Sequence, residues 1–207
     1  MKSSSHNTAN GSYARRSIFT TRAMVTVSLL SALSYVLMLL ESPPFIGFLR
    51  LEFSDVPAII GAFWFGPAAG IVIEFIKNVI KAITASKTLG IGELANLIVS
   101  IAYVVPASLL FRKLKGRYKS VLAFGAATLS MTVAGFVMNY FVTIPMYAKM
   151  YGGIKNIVAA ASMIPGINDM FTLILIGITP FNIIKGIFLG VVGHISYEML
   201  KKTIHFE

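Results

Sequence analysis

The sequence predicts an all-α integral membrane protein, a bundle of six transmembrane helices with both termini in the cytoplasm. The apolar composition, the long uncharged runs and the placement of the basic residues support this fold class. Of the 207 residues, 56% are hydrophobic and only 13% are charged, whereas a soluble domain carries roughly 25% charged residues. Such a chain is expected to fold with lipid as its solvent.

The uncharged runs are long enough to cross a bilayer, whose hydrocarbon core of about 30 Å requires roughly 20 apolar residues. Ala23–Leu40 and Leu94–Phe111 each supply 18 residues without a charge, and Val121–Tyr147 supplies 27. A transmembrane β-strand would alternate apolar and polar positions. These runs are apolar on every side, so the spans are predicted to be helices.

The helices are predicted, in order, at residues 23–40, 55–65, 67–84, 93–111, 120–146 and 180–200. Gly66 and Pro67 separate the second helix from the third. The second helix is short, because Val56–Phe65 spans only about 15 Å. Thr179 and Pro180 are typical of an N-cap and a first helical position, so the sixth helix is expected to begin there. The segment Ala148–Ile178 is then interpreted as an outer loop folded over the bundle.

The basic residues predict the orientation of the bundle. Eleven of the eighteen Lys and Arg residues lie near the N-terminus, at 112–119 and at 201–202. The positive-inside rule places all three clusters in the cytoplasm, which requires an even number of crossings before and after the second cluster. Six helices satisfy this requirement, and most of the acidic residues then lie in the outer half.

The composition also limits the classes of function. Residues 1–19 form a polar, basic arm that is expected to be disordered, 20–202 form the membrane domain and 203–207 form a tail. The chain has no cysteine and three scattered histidines, so no metal site is predicted. The net charge is +10, but the basic residues are distributed as the positive-inside rule predicts for a membrane protein. No nucleic-acid partner is therefore expected. The motifs of phosphate-binding loops and of common hydrolases are missing, so no enzymatic activity is predicted.

The third helix carries charges at membrane depth. Glu74, Lys77, Asn78 and Lys81 recur at i, i+3, i+4 and i+7, on one helical face. A charge in hydrocarbon costs a few kcal/mol unless it is paired or hydrated, so this face is expected to point inward. Glu74 would pair internally with Lys77 or Asn78. Alternatively, the Glu74–Lys77–Lys81 face would serve a small membrane channel or enzyme.

The outer end of the sixth helix predicts a ligand site. Asn182 and Lys185 lie three residues apart in its first two turns, where unpaired backbone N–H groups also point outward. Further polar residues are expected at the same depth: Glu93, Asn96, Asn139 and Tyr140. Apolar walls with a few convergent polar groups form a pocket, here one suited to a small ligand with hydroxyl and carbonyl oxygens.

The first outer loop, residues 41–55, is dense in apolar side chains for so short a connection. We expect it to lie on the bundle as a lid, with Phe48, Leu49 and Leu51 above the ligand. Its phenylalanines would face a planar ring or serve as interfacial anchors.

Three pairs of small residues spaced four apart allow close helix contact: Ser28 with Ala32, Gly66 with Gly70, and Gly186 with Gly190. Packing within the bundle is the usual meaning of such a pair. For Ser28 and Ala32, contact with a separate membrane subunit is the alternative.

Five segments of the chain are informative in their order and spacing: Leu51–Gly61, Phe65–Gly70, Glu74–Asn78, Glu93–Asn96 and Thr179–Gly186. Together they resemble the substrate-binding (S) components of energy-coupling factor (ECF) vitamin transporters, and among them the RibU family of riboflavin transporters. The resemblance covers roughly residues 20–202.

The resemblance implies a six-helix protein of the bacterial plasma membrane that binds riboflavin near the outer face, under the first loop. It also implies a transmembrane T component and two cytoplasmic ATPases as partners. The family's ligand-binding groups correspond to Asn182, Lys185 and Asn139. Its Ala-x-x-x-Ala pattern on the first helix is Ser28-x-x-x-Ala32 here. Flavin mononucleotide (FMN) is an alternative ligand, because the lysines of the third and sixth helices would tolerate a phosphate. Another vitamin bound by the same fold is a further alternative.

Overall fold

The computed structural model describes residues 20–42, 50–161 and 164–203, and within these ranges the chain is helical, with no strand. This confirms the all-α prediction. The predictions for residues 1–19, Phe48, Leu49 and 204–207 lie outside the described residues. The α-helices of the described ranges are α1 Thr21–Leu39, α2 Asp55–Phe65, α3 Pro67–Thr84, α4 Ile91–Lys113, α5 Lys119–Met138, α6 Ile144–Met150, α7 Ile154–Ala160, α8 Met170–Thr172 and α9 Thr179–Thr203.

Four described segments are long and apolar enough to cross a membrane: Thr21–Leu39, Ile91–Lys113, Lys119–Met150 and Met170–Met199. The other two long helices differ from these for separate reasons. Helix α2 has only 11 residues, and α3 carries Glu74, Lys77 and Lys81, all of them buried. Both pack against α1 and α4, so their polar groups point into the protein.

The boundary between α2 and α3 is where the sequence predicts it. Gly66 adopts φ +103°, a conformation that side chains disfavour, and Pro67 opens α3. One turn further, Gly70 allows close packing, because a Cβ there would lie 2.5 Å from Val104 Cγ1 and 2.9 Å from Ala62 Cβ. The small residues of this pair therefore serve the turn and internal packing.

Two π-helical stretches interrupt the long spans. Asn139–Thr143 joins α5 to α6, and Leu173–Ile178 joins α8 to α9. Each is followed within two residues by a proline, Pro145 or Pro180. Proline lacks the N–H that a helix interior requires, and local π-helical winding is one way in which membrane helices accommodate it.

The predicted start of the sixth helix matches the start of α9 at Thr179 but not the start of the continuous helical span. The helical span begins at Met170, where Asp169 is the N-cap and accepts a hydrogen bond from Thr172 N at 2.7 Å. Pro180 lies inside the continuous span because the π-helical turn precedes it. The segment 148–178 is accordingly not one outer loop. It comprises the end of α6, the short helix α7, and the first turns of the last span.

Ser28 and Ala32 both lie on the exposed face of α1. The prediction that this pair packs within the bundle is therefore wrong. Helix α1 instead buries another face, through Val27, Ser31 and Ser34. For Gly186 and Gly190 the same interpretation is confirmed. Their added Cβ atoms would lie 2.7 Å from Thr128 Cγ2 and 3.1 Å from Phe124 Cβ, so α9 approaches α5 closely.

The buried apolar residues form two clusters. One, around Ile59, Tyr103 and Met131, fills the space between α2, α4 and α5. The other, around Tyr147 and Ile174, joins α6 to the π-helical turn before α9. Between the two clusters the packing opens into a cavity.

Candidate functional site

The cavity has a volume of about 200 Å³ and is bordered by α3, α4, the turn Asn139–Thr143, α6 and α9. It brings together five of the polar residues that the sequence predicts for a ligand site: Glu93, Asn96, Asn139, Asn182 and Lys185. The polar groups of three separate spans thus converge on one cavity. All five side chains are buried or half-buried, so they are held among protein atoms rather than spread over a surface.

Two other residues of the predicted site do not line the cavity. Tyr140 follows Asn139 by one position, so its side chain leaves the helix axis in a different direction. Its ring stacks on Phe136 with centroids 6.1 Å apart and planes 4° apart. Leu51 is half-buried, and its backbone is tied to Ser42 by two hydrogen bonds of 2.9 and 3.0 Å.

The amides differ in how far the protein already uses them. Asn96 Nδ2 donates to Glu52 Oε1 at 2.6 Å, and its Oδ1 lies 3.0 Å from Ser100 Oγ. Asn139 Nδ2 donates to the Gly135 carbonyl at 2.7 Å. Only an NH₂ group can face a carbonyl oxygen in this way, so Asn139 has Oδ1 left to accept a bond. Within the described ranges the Asn182 amide has no hydrogen-bond partner, although the residue is only 6% exposed.

A buried network of charges underlies the cavity. Asp55 Oδ1 lies 2.5 Å from Lys77 Nζ, and Asp55 Oδ2 lies 2.8 Å from Lys185 Nζ. Lys77 also lies 2.8 Å from Glu74 Oε2, which confirms the predicted Glu74–Lys77 pair. Lys185 is 3.7 Å from Glu52 Oε1. Asp55 thereby ties α2 to α3 and α9, and a charge removed from such a network leaves its partners unpaired.

Asn78 does not pair with the Glu74 carboxylate. Its Nδ2 donates instead to the Glu74 backbone carbonyl at 2.8 Å. Lys77 and Glu74 are fully buried and do not line the cavity. Their charges are used within the protein.

A second set of charges borders the cavity around Glu41. Its carboxylate pairs with Lys81, with Lys87 at 3.2 Å and with Arg50 at 3.4 Å. Partial burial by itself raises the pKa of Glu41. The ammonium groups of Lys81 and Lys87 outweigh this effect, so the pKa lies below its ordinary value. Glu41 is therefore a carboxylate near neutral pH.

Glu93 is engaged by the turn before α4. It accepts from Ser86 Oγ at 2.9 Å and from Thr88 Oγ1 at 3.2 Å. It is 6% exposed and lines the cavity. It therefore fixes this turn at the cavity border.

The sequence prediction missed several lining residues, among them Glu41, Glu52, Thr143, Tyr147 and Phe181. A signal existed for Thr143 and Tyr147, which follow Asn139 at steps of four residues. Glu41 and Glu52 lie outside the helices. The spacing of residues along the sequence therefore does not predict which way their side chains point.

The arrangement suits binding rather than chemical conversion. Val99, Tyr147, Ile178 and Phe181 form apolar walls, and the amides and Lys185 add hydrogen-bonding groups. The described residues contain no group of three or more His, Cys, Asp or Glu side chains placed to hold a metal ion. A neutral solute with a planar ring and several hydrogen-bonding atoms matches these surroundings.

Residues 22–197 match the family model "ECF transporter, substrate-specific component". The chain is 35% identical to the riboflavin transporter FmnP of Bacillus subtilis, over 88% of this chain and 94% of that protein. It is 33% identical to the riboflavin transporter RibU of Staphylococcus aureus, over 86% of this chain and 90% of that protein.

A solved structure described as the S component of a bacterial ECF transporter superposes on this chain with a TM-score of 0.70. The identity is 30%, and the match covers 87% of this chain and 95% of the other.

Proposed function

The chain belongs to the family of ECF transporter substrate-specific components, and from that premise we propose that it binds riboflavin on the outer side of the membrane for uptake. Members of this family are components of transporters and not enzymes. The curated relatives named above are riboflavin transporters, and they align with this chain over nearly their whole length.

The observation that supports this proposal most directly is the convergence of Asn96, Asn139, Asn182 and Lys185 on one cavity with apolar walls. Riboflavin joins a planar ring, whose edge carries carbonyl and N–H groups, to a chain of hydroxyls. The ring suits the walls formed by Tyr147 and Phe181, and the amides suit the polar atoms. Asn139 would accept from a ligand donor, and Lys185 would donate to a ligand oxygen.

We also propose six crossings with cytoplasmic termini. The four apolar spans, together with α2 and α3, give this number. The cavity lies near the start of α4, at Glu93 and Asn96, whereas the basic segment 112–119 follows its end. The rise of α4 from Glu93 to Arg112 separates these two levels by about 28 Å, which supports a cytoplasmic basic segment and an outward cavity.

Partners follow from the same premise. An S component lacks its own ATPase, so we propose that this chain assembles with a transmembrane T component and two cytoplasmic ATPases. The exposed face of α1, with Ser28 and Ala32 among large apolar side chains such as Leu29 and Leu33, is the surface we propose for the T component. Small residues there permit close helix contact.

FMN is the second candidate ligand. Arg50, Lys81 and Lys87 all pair with the carboxylate of Glu41 at one part of the cavity border, and this local excess of positive charge would favour a phosphate. The Glu74–Lys77–Lys81 face supports a channel less well, because its lysines are paired with Asp55, Glu74 and Glu41.

Binding to the purified protein tests the proposal. Protein extracted in mild detergent should quench riboflavin fluorescence at sub-micromolar concentration. Mass spectrometry of the co-purified small molecule should identify riboflavin rather than FMN or another vitamin. Absence of quenching, or a different vitamin in the extract, would overturn the assignment. Ion conductance by the chain alone in a planar bilayer would support the channel instead.

A further inference from the structure

Gly135 on α5 faces Asn182 on α9 across the seam where these helices pack. We propose that Gly135 is a positioning residue for ligand binding: its missing side chain fixes where the Asn182 amide sits. The inference rests on the proposed function, in which Asn182 contacts the ligand. It extends that function to a residue that does not line the cavity.

The space above Gly135 is filled by one side chain. A Cβ built at Gly135 would lie 3.2 Å from Asn182 Cγ and 3.8 Å from Asn182 Oδ1, and closer still to Nδ2. These are the three nearest atoms, and all belong to the same amide. Alanine at this position therefore requires the Asn182 amide to move.

The cost of that movement falls on the site rather than on the fold. Asn182 has no hydrogen-bond partner within the described ranges, so its rotation breaks no bond there. The residue is 6% exposed and lines the cavity, so its amide is confined between Gly135 and the space that the ligand would occupy. A shift of a hydrogen-bonding group by a fraction of an ångström is enough to weaken a bond of fixed geometry.

The same residue also orients a second amide. The Gly135 carbonyl accepts from Asn139 Nδ2 at 2.7 Å and from the Asn139 backbone N–H. Gly135 thus positions both asparagines. Its carbonyl binds Asn139, and the space left by its missing side chain holds the Asn182 amide. This double contact distinguishes Gly135 from the glycines that only bring helices together.

Helix α5 offers a matched control. Gly125 lies on the same helix, and a Cβ built there meets nothing within 4 Å. Gly125→Ala therefore adds the same methyl group and the same helix propensity without a contact.

The test measures riboflavin affinity by fluorescence quenching and thermal unfolding for both variants in the full chain. Gly125→Ala should bind riboflavin as the wild type does. Gly135→Ala should weaken binding at least tenfold while unfolding at the same temperature as Gly125→Ala. Equal affinity of the two variants would overturn the inference, and a wild type that fails to quench would overturn the proposed function and the inference together.

A double variant separates positioning from general damage, including a Gly135→Ala protein that folds poorly. With Asn182→Ala the three atoms that oppose the new Cβ are gone. Adding Gly135→Ala to Asn182→Ala should then change neither affinity nor unfolding temperature by more than the Gly125→Ala control does. A further loss of affinity or stability in the double variant would place the clash elsewhere and refute the positioning role.

Discussion

Asp55 Oδ2 lies 2.8 Å from Lys185 Nζ, although the two residues come from the second helix and the last helix of the described chain. The carboxylate thus reaches the lysine that borders the cavity and, through its other oxygen, the fully buried Lys77 at 2.5 Å. The floor of the site is therefore part of the bundle's internal ion pairing. Stability and ligand binding are expected to share this residue.

Asp55→Asn should destabilise the fold and weaken binding together. The change leaves two buried ammonium groups with one carboxylate fewer, and breaking a buried pair in this way costs about 3 to 5 kcal/mol. Thermal unfolding in detergent measures the loss. Asp169→Asn makes the same change at an exposed N-cap and should leave stability nearly unchanged, because Asn and Asp are about equally good N-cap residues. An Asp55→Asn protein as stable as that control would contradict the role given to the network.

Asn182→Ala and Lys185→Ala should each weaken riboflavin binding by about 1 to 3 kcal/mol, since each leaves a ligand atom without its partner. Titration by fluorescence quenching gives the affinities. Asn168→Ala and Lys155→Ala make the same changes at exposed positions outside the cavity and should bind as the wild type does. Unchanged affinity in both site variants would refute the site assignment and leave the fold intact.

The ion pairs of Glu41 predict a dependence of stability on pH. Its pKa in the folded protein lies below the ordinary value of 4.5 because of Lys81 and Lys87. The pairs therefore stabilise the fold above the unfolded pKa, and this contribution disappears as the pH falls through the folded pKa. Glu41→Gln should lower the unfolding temperature at pH 7 and have less effect as the pH approaches 3. A difference from the wild type that stays constant over this range would disagree with the ion-pair explanation.

Ser28→Trp should spare riboflavin binding and impair transport. The side chain of Ser28 is on the exposed face of α1, away from the cavity lining, so an indole there would obstruct only a helix packed from outside. Riboflavin uptake by cells that carry the complete transporter, measured beside binding to the purified chain, separates the two effects. Leu129→Trp, at a position 67% exposed on α5, is the control. Normal uptake with Ser28→Trp would remove this face from the proposed interface.

Much of the helical framework is readable from local signals. The end of α2 and the start of α3 follow from Gly66 and Pro67. The positive φ of glycine and the missing N–H of proline are local properties that mark a helix boundary. Five polar residues of the cavity are predicted from the sequence. Polar groups at membrane depth are costly in contact with lipid, so they face the interior of the bundle or a cavity. These inferences needed only neighbouring residues or the cost of burial.

Other features depend on contacts that spacing does not specify. The pair of Asp55 with Lys185 joins helices that are distant in the chain, and no periodicity relates them. The start of the last span was misplaced because Thr179 and Pro180 carry the local signature of a helix start. The π-helical turn that tolerates Pro180 within a continuous helix has no comparably simple sequence signature.

The winding of Asn139–Thr143 has a consequence for which side chains face the solute. In a regular α-helix each step of four residues overshoots a full circle by about 40°, so Tyr147 would point about 80° away from Asn139. The π-helical turn contains more residues per turn, so it reduces the angle between side chains that are four residues apart. Asn139, Thr143 and Tyr147 consequently all line the same cavity, whereas an unbroken α-helix would spread their directions over about 80°.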